Sequence, residues 1–229
     1  YEEFLSGLAM TECKYSHYFL TGGEKTIEAR RQKLLVCEEK LKIAKKAAQK
    51  IKSIPFLKAI FVCNSIGFEQ AKPESDIDFF IIAAPGRAWV VRFFANFLLL
   101  LFGLRVTKNQ VKDKICLSFF VDDARLDLSD LKIADDDVYL TYWICHLFPL
   151  YDPENYYSKL LEANKWIKKF VPNFNAEFKS AYRLRVENSL FGRIWKRIWE
   201  KMWAGSYGDL VERQAKGLQM AKLKLSIKE

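Results

Sequence analysis

Histidine is almost missing from the chain, with His17 and His146 the only two in 229 residues. A His-based metal cluster or a Ser-His-Asp triad therefore has almost no material. Cysteine is sparse and unpatterned. Cys13, Cys37, Cys63, Cys116 and Cys145 are odd in number, widely scattered and without a C-x-x-C pair, which argues against a disulfide framework or a zinc site and fits a reducing cytosol. Ten Gly and six Pro are too few for a collagen-like or low-complexity chain, and 50% hydrophobic residues exclude intrinsic disorder. A long apolar run is missing too. The most lipid-like stretch, residues 93–104, contains Asn96, follows Arg92 and falls short of the roughly 20 residues a bilayer span needs, so it reads as a buried core helix. These absences leave a soluble, cytoplasmic protein of one or two domains. The chain opens on Tyr1 rather than Met, which reads as a processed or truncated start.

Charge is present in excess and unevenly placed. The net +9 divides into residues 1–58 with 12 basic and 7 acidic groups, residues 59–178 with 13 and 16, and residues 179–229 with 12 and 5. The two flanks are basic and the centre is acidic. Lysine-rich helices are commonly just solvated faces, and the other use of such flanks is to hold a polyanion or an anionic surface.

Apolar periodicity predicts a long basic helix over 24–52, ended by Pro55, in which Ile27, Leu34, Leu41, Ala44, Ala48 and Ile51 recur at helical spacing. Strands are expected at 57–63, 77–83 and 115–121, with a helix at 88–104 after the Pro85-Gly86 turn. Helical pattern dominates the remainder, broken at Pro149, Pro153 and Pro172. Asp135, Asp136 and Asp137 read as a cap on a helix beginning near Val138. At 191–203 an apolar stripe containing Trp195, Trp199 and Trp203 alternates with Arg193, Lys196, Arg197 and Lys201. That helix either packs on its predecessors or meets a partner or a membrane surface.

The segment from Asn64 to Asp78 carries the chemistry. Asp76 and Asp78 stand two apart at the start of a strand, so their side chains share a face. Carboxylates so close repel unless a cation lies between them, and oxygen ligands of this kind suit Mg²⁺ with substrate phosphates. Eleven residues earlier, Ser65 lies at the end of one strand and the start of a short helix, where backbone amides and a hydroxyl can receive phosphate.

Ser65, Gly67, the Ser75-Asp76-Ile77-Asp78 segment and the apolar strand after it resemble the nucleotidyltransferase fold of the DNA polymerase beta superfamily, in its minimal form. The resemblance covers about residues 54–131. It implies an α/β fold with a nucleotidyltransferase-like mixed sheet at 54–133, between a basic helical region at 1–53 and a helical C-terminal region at 134–229. The first twenty residues would be the remnant of a larger module such as a winged helix. Further, it implies Mg²⁺-dependent transfer of a nucleoside monophosphate from an NTP such as ATP to a hydroxyl of a protein, an RNA or a small molecule. Asp76 and Asp78 would hold one or two Mg²⁺ ions. Asn64, Ser65 and Gly67 would form the phosphate loop, and Arg87 and Arg92 are candidate phosphate clamps.

Two positions depart from the pattern. The glycine before the serine is Asn64, a residue that tolerates the left-handed backbone such a turn needs. The third carboxylate, usual on the neighbouring strand, is absent from residues 115–121, where Cys116 or Ser118 would stand in its place. Asp113, Asp122 and Asp123 are the nearest substitutes. The alternative is therefore a catalytically inactive module that binds nucleic acid or a protein partner through the basic flanks. If nucleic acid is that partner, affinity measured against salt concentration falls steeply; a flat response returns the basic helices to solvated faces.

Overall fold

In the computed structural model, which describes residues 11–174 and 184–227, the centre is the strand that the sequence marks most clearly. β4 (Ile77–Ala83) runs between β3 (Leu57–Val62) and β5 (Ile115–Asp122), and β6 (Phe148–Tyr151) closes the far side, giving the order β5-β4-β3-β6. β4 is antiparallel to β3 and parallel to β5; β6 is antiparallel to β3. A parallel neighbour needs a crossover, and α3 (Ala88–Leu101) supplies it between β4 and β5. The protein is thus mixed α/β, with a four-stranded mixed sheet.

Phe79, Phe80, Ile81 and Ile82 are each fully buried, so both faces of the sheet must be covered. Their alternation divides the core. Phe79 and Ile81 pack with Ala44, Ala48 and Ile51 of α1 (Lys25–Ile51) and Val91, Ala95 and Leu99 of α3. Phe80 and Ile82 pack with Trp143 and Ile144 of α4 (Val138–Cys145) and Tyr157 and Leu160 of α5 (Tyr156–Ala163). Each such side chain, removed from water, contributes about 1.5–3 kcal/mol.

Other elements were hidden from sequence reading. β6 contains Pro149, which reads as a break, but β6 is an edge strand, where a missing N–H is tolerated. β1 (Thr11–Lys14) and β2 (His17–Leu20) form a hairpin through Tyr15 and Ser16, both with positive φ (52° and 62°), without the Asn-Gly that usually announces such a turn. The expected N-terminal module at residues 1–20 falls partly outside the described residues, which begin at Thr11.

The helix at 88–104 requires a correction. It ends at Leu101, and only one side is buried; Phe93, Phe97, Leu100 and Leu101 are 40–65% exposed. Asn96 is held between the Arg92 carbonyl and the Arg105 guanidinium. The Asp137 cap, by contrast, forms as expected, its carboxylate accepting from the Leu140 and Ile133 amides, which holds its pKa below the usual value.

Two C-terminal helices, α6 (Leu190–Met202) and α7 (Ser206–Ile227), are seated by their acids. Glu200 accepts from the Phe56 amide at 2.7 Å. Glu212 accepts from the Trp89 and Val90 amides at 2.9 and 2.8 Å and so caps the start of α3. Lys196 donates to the Leu57 carbonyl in a mostly buried position, and burial lowers its pKa to about 8. A lysine with a folded pKa below its unfolded value is charged at a cost, so stability is full above about 10.5 and declines as pH falls through about 8. Denaturant titrations across this window should show that rise with pH in the wild type and its loss in Lys196→Met; an unchanged slope in the variant would refute the assignment.

Candidate functional site

Asp76, Asp78 and Cys116 come together at the start of β4, with one ligand atom of each within 4.8 Å of the others. The register explains why. Asp78 pairs with Cys116 and Phe79 with Leu117, but Phe80 pairs with Phe119, so Ser118 is the extra residue of a β-bulge. Bulges re-aim side chains, and here the Ser118 hydroxyl donates to Asp78 Oδ1. Asp78, Cys116 and Ser118 share the face that α4 and α5 cover further along, and all three remain at least partly open to solvent. The β5 side chains beside the acidic pair are therefore a thiol and a hydroxyl.

Burial, then the adjacent Asp78 carboxylate, push the Asp76 carboxyl above its ordinary pKa, while the Cys116 thiol and the Lys40 ammonium pull it back. Such a pair is short of positive charge. Its two hard oxygens fit Mg²⁺, whose remaining positions are normally filled by water and substrate phosphate. Cys116 and Ser118 do not fit the bridging role for a second hard cation, since a thiol is a soft donor and a hydroxyl is uncharged.

The loop from β3 reaches this end of the sheet directly. The Cys63 amide donates to the Asp78 carbonyl at 3.0 Å, and α2 (Asn64–Gly67) starts at the next residue, which brings Ser65 to the acidic end. Cys63 is buried there, its thiol pushed far up by desolvation and by the charges of Asp78, Cys116 and Asp76. Asn64 takes the left-handed conformation (φ 54°), so the turn forms without glycine. Its side-chain Oδ1 is engaged, accepting from Trp143 Nε1 at 2.8 Å. A Cβ on Gly67 would lie 2.4 Å from the His146 carbonyl oxygen, so this glycine is needed for the approach of α2 to the end of α4. His146 itself lies against Phe68 and Tyr142, with Nδ1 2.8 Å from the Tyr142 carbonyl.

The two arginines are not brought to the acids. Arg87 follows the opposite end of β4, about 17 Å from Asp78 at 3.3 Å per residue, and donates to Asp209, the Gly86 carbonyl and the Trp203 carbonyl. The start of α3 beside it is already occupied by Glu212. Arg92 lies under the other face of the sheet, donating to the Leu117 carbonyl at 3.2 Å and resting 5.2 Å from the Phe120 ring centroid. Burial and nearby Arg105 lower its pKa. The substitute acids are likewise engaged. Asp122 accepts from the Gly86 and Ala124 amides, Asp123 from the Tyr156 hydroxyl, and Asp113 from Lys40.

Lys40 is the residue that sequence reading missed. Its side chain is 2% exposed, and its ammonium donates to Asp113 Oδ1 at 2.7 Å and to the carbonyls of Ser75 and Pro73 at 2.7 and 3.2 Å. It thus ties α1 to both loops that frame the acidic pair. The signal was present: Lys40 falls on the same helical face as Cys37, Ala44, Ala47 and Ile51, all buried.

Comparison with protein-family models and with curated proteins finds no match for this chain. Among the described residues no helix is long and apolar enough to cross a membrane.

Replacing Lys40 by Met should strip Asp113 and two carbonyls of their cation, and since Asp113 is partly exposed and can hydrate, cost about 2 kcal/mol, the value of a charged hydrogen bond. Chemical denaturation measures this; a loss below 1 kcal/mol, on the order of a surface ion pair, would show that the loops hold without it.

Proposed function

We propose that the protein is a Mg²⁺-dependent nucleotidyltransferase of the minimal polymerase-beta-like type. The observation that carries the proposal is the pair Asp76 and Asp78, on one end of a buried strand and beside the loop bearing Ser65. In this reading the two carboxylates hold the cation that neutralises the triphosphate. Ser65 and neighbouring amides orient the β- and γ-phosphates. An acceptor hydroxyl attacks the α-phosphorus, the bond to the β-phosphate oxygen breaks, and pyrophosphate leaves with the electron pair while the hydroxyl proton passes to solvent. The acceptor is a protein, an RNA or a small molecule, and the basic flanks favour a polyanionic one.

A second reading is favoured by one specific observation. Cys116 and Ser118 stand where a third carboxylate would bridge metal and attacking oxygen, and the Ser118 hydroxyl already satisfies Asp78. A module so altered binds nucleotide, nucleic acid or a protein partner without turnover.

Incubation of the full chain with α-labelled NTPs and Mg²⁺, beside calorimetric nucleotide titration, separates the two. The enzyme reading expects label transfer that Asp78→Ala abolishes with the fold intact by circular dichroism, and a gain of transfer in Cys116→Asp. Nucleotide binding without transfer selects the silent module. No nucleotide binding, with or without metal, overturns the proposal.

A further inference from the structure

Helix α6 is seated by one side and is apolar on the other. Lys196, Glu200 and Trp203 face inward, to the Leu57 carbonyl, the Phe56 amide and the Phe94 ring respectively. Gly192 is buried on the same side, where a Cβ would strike the side chains of Asn188 and Ser53. At 100° per residue the opposite side carries Phe191, Ile194, Ile198 and Met202, which are 76%, 51%, 50% and 60% exposed. An ordinary surface helix places charge there. The sequence-level alternative in which the stripe packs entirely on earlier helices therefore fails for this half of it.

The exposed apolar surface does not stop at α6. Trp195, Trp199 and Trp203 form edge-to-face pairs at 5.4 and 5.2 Å and line an open groove of about 350 Å³ whose other wall is Phe94, Phe97 and Leu98 of α3. Beyond that groove, the outward side of α3 continues the surface through Phe93, Leu100 and Leu101. A contiguous patch of this kind marks a docking face rather than scattered exposure.

Charge selects the occupant. Glu200 and Glu212, acids of α6 and of α7 beside it, are turned inward to the Phe56 amide and the start of α3, and Asp209, though exposed, is paired with Arg87. Arg197 and Lys201 border the apolar stripe, are exposed, and make no ion pair among the described residues. Lys50 stands at the groove, 4.4 Å from the Phe102 ring centroid. An apolar stripe with a cationic border complements acyl chains beneath anionic headgroups, and Trp is suited to the boundary between them. A second copy docked about a two-fold axis would bring the same cations together. We infer that the α3–α6 face is a docking surface for an anionic lipid bilayer, with α6 lying in the plane of the interface.

The test uses the full chain with phosphatidylcholine vesicles, alone and containing phosphatidylserine, read by co-sedimentation and tryptophan emission. The protein should sediment with the serine-containing vesicles, shift its emission to the blue, and lose binding as salt rises. Phe97→Asp with Ile198→Asp, both at exposed positions, should weaken binding by at least about tenfold, and so should Arg197→Glu with Lys201→Glu, with circular dichroism unchanged. Absence of vesicle binding overturns the inference, as does binding that neither pair of substitutions alters. A dimer in light scattering that Ile198→Asp dissociates, without vesicle binding, assigns the face to a second copy. Retention on nucleic acid that only the charge pair abolishes, again without vesicle binding, assigns the cations to nucleic acid.

Discussion

Everything in this protein is arranged around one strand that must be dry on both sides. Five consecutive apolar residues, Phe79–Ala83, cannot be buried by a single helical layer, because successive side chains point to opposite faces. Two layers are therefore obligatory, α1 with α3 on one side and α4 with α5 on the other. The same constraint puts the chemistry where it is. Asp78 belongs to the strand and Asp76 to its approach, so the one end at which β4 can meet water is also the end at which two carboxylates are brought together.

Electrostatics at that end is a contest between three influences. Desolvation and mutual repulsion raise the energy of the ionised pair, and Lys40 lowers it from behind, through a side chain that is itself buried. Lys40 has three partners of its own in Asp113, Ser75 and Pro73. Its charge is accordingly spent on holding the loops in place, and only the remainder acts on Asp76. Arg87 and Arg92 are engaged at the far end and on the far face of the sheet and donate no hydrogen bond to the pair.

Legibility in the sequence followed the strength of the local signal. β3, β4 and β5, α1 and the Asp137 cap were readable because a long apolar period or a single capping geometry decides each of them. The pairing of Asp76 with Asp78 was readable from strand alternation alone. What was not readable depended on contacts distant in sequence. The edge position that lets Pro149 sit in a strand, the bulge that turns Ser118 toward Asp78, and the carbonyl of His146 that excludes a side chain at Gly67 are all set by partners that no local window contains. The partners of the arginines were unreadable for a related reason. A basic residue at a helix start resembles a phosphate clamp until the carboxylate that caps the helix is known, and Glu212 lies more than 120 residues further along the chain.

The net charge follows the same logic. Counted along the chain, the last 51 residues carry 12 basic and 5 acidic groups. Among the described residues, Glu200, Asp209 and Glu212 bind the sheet domain and its neighbours and so seat α6 and α7, and Lys196 goes the same way to the Leu57 carbonyl. On α6 the acid Glu200 is spent on the contact, while Arg197 and Lys201 stay exposed beside the apolar stripe. The outward apolar stripe of α6 thus carries exposed cations and exposed Trp and Phe side chains on one surface. The acidic pair lies away from it, at the opposite end of β4 from the Leu57–Ala83 pairing where α6 is seated.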